Sequence, residues 1–186
     1  MIRRINVFTD RFIHFKTITF FAVIWIMMQV LLIEGPFGLK KIDSLSPGLK
    51  VVELRFNYSK QIAHETLQTL GEAGRSVYIK FISIDFVYIA VYVFFFMLCI
   101  KAVIHYFFPN NIPLEYLLLL PLISGLLDIA ENVLNLIQTI KYPHEVMGIF
   151  VISNMVTMSK MISGFICYLI IGIGFLGFII SMIIKK

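Results

Sequence analysis

Four ionisable residues stand where hydrocarbon would be expected: Asp85, Asp128, Glu131 and Lys160 each lie inside a long apolar run. A charge in hydrocarbon costs roughly 2.5–3.5 kcal/mol on insertion scales, so such residues face a bundle interior and pair with one another or with something bound. Asp128, Glu131, Asn132 and Asn135 follow an i, i+3, i+4, i+7 spacing. On a helix that spacing puts all four on one face. The chemistry available to this set is that of an acid–amide–lysine site. It could bind a small ligand, a lipid headgroup or a cation, with a link to protons. Three acids stand against one lysine, so the surplus acids must be protonated, hydrated or facing a bound cation. The other reading is polar glue, in which Asp128 pairs with Lys160 and the amides bond across helices to hold a bundle in register.

Counting residues outward from the turns predicts which groups meet. The turn between the last two apolar segments centres on residues 142–144. Asp128 and Lys160 then fall within about one helical turn of each other in depth. The turn near Asn110 places Asp85 level with Asn135. Both estimates put the cluster in the half nearer the longest polar segment. Arg75 stands at the entry to the second apolar run and could meet an anionic headgroup or ligand; the ordinary alternative is a snorkelling interfacial side chain.

The elements that position these residues are four apolar segments, at 17–33, 77–108, 114–140 and 146–184. They predict spans over about 17–33, 78–107, 115–140 and 147–184. Helices are favoured over strands because the runs are long and do not alternate with period two. The last segment would be about 58 Å long as one helix, so it must protrude, kink near Gly164, Gly172 or Gly174, or begin at the interface. The 34–77 segment between the first two spans is expected to be an ordered loop outside the membrane. Val52, Leu54 and Phe56 alternate with Glu53 and Arg55, which reads as a short strand. Ser59 reads as the cap of a helix to about Leu70, ended by Gly71 and Gly74.

Composition agrees with this reading. Of 186 residues, 59% are hydrophobic and 15% charged, with a mean hydropathy of +0.90. No soluble core of this size hides that much apolar surface, which excludes a water-soluble enzyme, a secreted disulfide scaffold and a disordered tail. The formal charge of +5 forms no stripe and does not indicate nucleic acid. The cations flank apolar runs, at Arg3, Arg4, Arg11 and Lys16 and at Lys185 and Lys186, as membrane-surface anchors do. The dense N-terminal arm predicts both termini inside. The first run is read as a retained span, because no A-x-A-like cleavage site follows it. Cys99 and Cys167 lie in apolar runs and read as small hydrophobes rather than a disulfide framework. His14, His64, His105 and His144 are too scattered for a metal site, and no cofactor motif is present. The sequon at Asn57 carries weight only in a eukaryotic secretory pathway.

The run Tyr58-Ser59, Leu70-Gly71, Gly74-Arg75, Tyr78, Asp85, Leu120-Pro121 and Asp128-x-x-Glu131-Asn132 resembles a pattern in small four-span bacterial membrane proteins without an assigned function. The resemblance covers roughly residues 45 to 160. It implies a bacterial cytoplasmic membrane and supports treating Arg75, Asp85, Asp128, Glu131 and Asn132 as one set. The resulting expectation is an all-α integral membrane four-helix bundle, a single membrane domain over 1–186. Its site would comprise Asp85, Asp128, Glu131, Asn132, Asn135, Lys160 and Arg75. Two other functions remain open: an intramembrane enzyme acting on a lipid or isoprenoid, and a structural, accessory or immunity-type subunit that meets a partner membrane protein or a second copy.

Overall fold

The computed structural model describes residues 2–109, 111–144 and 148–184. The turn centre at Asn110, the start of the last segment at Val146 and the terminal lysines Lys185 and Lys186 lie outside them. The regular elements are all helical: α1 (Ile2–Asp10), α2 (Phe15–Glu34), α3 (Leu39–Leu45), α4 (Lys60–Phe107), α5 (Leu119–Lys141) and α6 (Ile149–Ile184), with 3-10 turns at Val52–Leu54 and Ile112–Leu118. Four helical stretches are long and apolar enough to cross a membrane.

α5 is polar on its buried face and apolar on its exposed face. Its polar residues Asp128, Glu131, Asn132, Asn135 and Gln138 are buried, while Leu126, Ile129, Val133 and Ile140 are exposed. A helix turned inside out in this way would be unstable in water but is the natural arrangement in lipid. Its polar face is enclosed chiefly by α4 and α6. The approach to α4 is very close at Gly125, where an added Cβ would sit 2.4 Å from a Val93 methyl. Gly125→Ala is therefore expected to lower stability by about 1–3 kcal/mol, as overpacking does. Thermal unfolding of the detergent-solubilised protein measures it, and an unchanged midpoint would refute the contact.

Two local expectations are corrected. The 52–56 region is no strand: Val52–Leu54 forms a single 3-10 turn with Val51, Val52 and Glu53 all buried. Five alternating residues also satisfy a tight turn that buries consecutive side chains, and among the described residues no neighbouring strand supplies a ladder. Ser59 does cap a helix, its Oγ accepting from the Ile62 amide at 3.2 Å. That helix does not end at Gly71 and Gly74. Gly71 takes φ 61°, ψ −175°, a conformation essentially restricted to glycine, and the chain resumes as a helix to Phe107. The glycine thus makes a break inside α4, and Gly74 is an ordinary helical residue packed on Leu70.

At the other end, Lys101 of α4 is buried. It donates to Asn6 and pairs with Asp10 at 3.0 Å and with Glu115 at 3.7 Å. This fixes α1 against α4 and the 112–118 turn. α2 buries little of its surface. Its polar tie to the bundle is at Tyr88, whose hydroxyl accepts from Trp25 Nε1 at 3.2 Å and from Gln29 Nε2 at 2.6 Å.

Candidate functional site

The centre of the molecule is an ion triad between α5 and α6. Lys160 Nζ lies 3.2 Å from Asp128 Oδ1 and also donates to Glu131 Oε2. Glu131 has no exposed side-chain surface, Asp128 has 10% and Lys160 19%. The remaining carboxylate oxygens are also engaged. Tyr92 of α4 donates to Asp128 Oδ2 at 3.0 Å, and Thr157, one turn before Lys160 on α6, donates to Glu131 Oε1. Burial of this kind is tolerated only when each charge is paired and its lone pairs are filled.

The triad continues into a chain of polar groups. Asn132 donates to Asp85 Oδ2 at 2.8 Å, tying α5 to α4. One turn further, Ser153 of α6 donates to Asn135 Oδ1 at 3.0 Å and accepts from the Tyr58 hydroxyl at 2.9 Å. Tyr58 precedes α4, so the loop-side segment reaches into the bundle here. Its backbone amide also donates to Asn154 Oδ1 at 3.0 Å. Beside it, Glu53 accepts from Tyr78 at 2.7 Å. Burial, reinforced by the charge of Glu131, pushes the Glu53 carboxyl up to about 8, so it holds a proton at neutral pH.

Depth counting placed Asp128 and Lys160 within a turn of each other, and they are in contact. Asp85 bonds Asn132 rather than its predicted level-mate Asn135, a difference of one turn. Arg75 does not join these residues. Its guanidinium donates to the Leu67 carbonyl at 2.9 Å, in the last turn before the Gly71 break, and lies 4.4 Å from the centre of the Tyr142 ring. The carbonyls of a helix end need donors, and Arg75 provides one there. Sequence reasoning names Glu53 only in the expected strand and Tyr58 and Tyr78 only in the resemblance, places none of them in the site, and passes over Tyr92. Tyr92 was findable, since it lies seven residues after Asp85 on the same face of α4.

Next to the triad, a cleft of about 350 Å³ opens between α4, α5 and α6. Its walls are the rings of Tyr88, Tyr92, Phe96, Phe165 and Tyr168, and Asp128 and Lys160 are its charged residues. Phe165 and Tyr168 are largely exposed, so the cleft opens towards the surroundings of α6. At Gly164 a Cβ would meet only Ser124 Oγ at 3.7 Å. Among the described residues, no group of three or more His, Cys, Asp and Glu side chains is placed to hold a metal ion.

Comparison with known proteins finds no matching family model, no matching curated protein and no matching solved structure.

Proposed function

We propose that this multi-pass membrane protein holds an amphiphilic, lipid-like ligand, with the ligand's polar head at Asp128 and Lys160 and its tail among the aromatic rings of the cleft. The observation that carries this reading is the cleft itself, an apolar slot ending on a charged pair. The charge balance favours a cationic, ammonium-type head. Asp128 and Lys160 line the cleft, and Glu131 and Asp85 stand behind them, so acids outnumber the one lysine around the slot. Tyrosine and phenylalanine faces attract the same kind of head. In this reading the protein sits in a cytoplasmic membrane with both termini inside and the 34–77 segment outside, packed over the mouth of the bundle.

Binding fits the geometry better than catalysis does. Glu131 has no exposed side-chain surface and is held by Lys160 and Thr157, which keeps it from reaching a substrate's proton. A partner subunit is also less well supported, because the polar face of α5 is enclosed rather than displayed.

Native mass spectrometry of the purified full chain tests the proposal. A bound lipid-sized adduct is expected on the wild type and on Gly164→Ala, whose added methyl makes only an ordinary contact. Gly164→Phe should lose the adduct with little change in unfolding temperature, because its ring occupies the cleft. No adduct on the wild type, or an undiminished one on Gly164→Phe, would overturn the reading.

A further inference from the structure

A second, much smaller cavity lies beyond the triad, between the first part of α4 and the last turns of α5. It measures about 10 Å³, and its wall includes Thr66, Tyr78, Asn135, Gln138 and Thr139. That is about the space one water molecule requires. Asn135 and Gln138 are 2% and 6% exposed, and Asn135 Nδ2 and Gln138 Nε2 have no hydrogen-bond partner. Buried N–H groups are rarely left unmade, because their lost hydration is not repaid.

The orientation of Asn135 is set by its neighbours. Its Oδ1 accepts from Ser153, whose own oxygen accepts from Tyr58, so Nδ2 is the end left over. Thr66 and Thr139 both donate back to their own helices, to the carbonyls of Ile62 and Asn135 at 2.7 Å each. What those hydroxyls can offer a guest is therefore an acceptor lone pair. The wall combines two unused N–H donors with hydroxyl acceptors. A metal cation would be repelled by the donors, and an anion would meet the field of Glu131 and have no cation of its own. A water molecule accepts two hydrogen bonds and donates two, and it fits the volume.

We propose that this cavity is a binding site for one water molecule, held by the side-chain amides of Asn135 and Gln138. The water extends the polar ladder of α5 one turn past Asn135 and ties that helix to α4 just before the Gly71 break. The site is independent of the aromatic cleft and of whatever the cleft holds.

The test is a structure of the full chain at a resolution that shows ordered waters, together with the variant Gln138→Met. One peak within hydrogen-bonding distance of both amide nitrogens is expected in the wild type. An empty cavity, or a peak with the anomalous signal of an ion, would overturn the proposal. Thermal unfolding of the variant reads the same question by sign. A thioether of similar length removes one donor. If the amide is satisfied by a water, the midpoint falls; if the amide is an orphan in a dry cavity, the substitution relieves it and the midpoint rises, which would refute the site.

Discussion

Replacing Lys160 by methionine is expected to cost about 3–5 kcal/mol of stability at neutral pH, the usual penalty for stranding buried charge. Lys160 is the cation paired with Asp128 and Glu131, and Glu131 has no exposed surface through which water could take over. The loss should shrink when Glu131→Gln and Asp128→Asn accompany Lys160→Met, since the triple variant has no charge left to strand. Unfolding in detergent, followed by circular dichroism and arranged as a mutant cycle, reads the effect. A loss under about 1 kcal/mol at neutral pH would mean that the triad behaves as an exposed pair, and the enclosed site would have to be abandoned.

The second large effect concerns Glu53 and is a dependence of stability on pH. Its carboxyl is pushed from an ordinary 4.5 to about 8 in the folded chain. The groups that act on it are Tyr78, Lys160, Glu131 and Asp85, and burial outweighs them all. Between pH 4.5 and 8 the unfolded chain releases this proton while the folded chain keeps it. The folded state therefore binds more protons, and its stability falls as pH rises through that window, by up to about 1.4 kcal/mol per unit. Below 4.5 the full contribution is present, and above 8 no further loss occurs. Glu53→Gln keeps a neutral side chain of the same shape and should flatten this part of the profile. Limited proteolysis between α3 and α4 is expected to quicken from pH 5 to pH 8 in the wild type and to change little in the variant. Parallel profiles for the two proteins would show that Glu53 is ionised at neutral pH and that the segment is held by other contacts.

The polar face of α5 could be read in the sequence because helical periodicity is local: four residues within eight positions define it. The meeting of Asp128 with Lys160 could also be read, because a hairpin of two regular helices converts residue number into depth. Asp85 came out one turn away because α4 and α5 are joined through a 3-10 turn, whose rise per residue differs from that of an α-helix. What could not be read was supplied from a distance. Glu53 and Tyr58 come from a segment whose alternation mimics a strand, and they are held by partners far along the chain, Tyr78 of α4 and Ser153 of α6. Lys101 was overlooked although it lies inside the second apolar run; two of its partners are more than ninety residues away, on a short N-terminal helix read as a surface arm. The resemblance groups Arg75 with the acids, but the break at Gly71 gives it a carbonyl to cap instead.

The hydrogen bond from Trp25 to Tyr88 has a practical consequence. Trp25 is the chain's sole tryptophan, and the hydroxyl it binds belongs to a ring on the wall of the aromatic cleft. The protein therefore carries a built-in optical reporter: any guest that shifts Tyr88 alters the polarity around one indole, and its emission colour can be followed without attaching a dye.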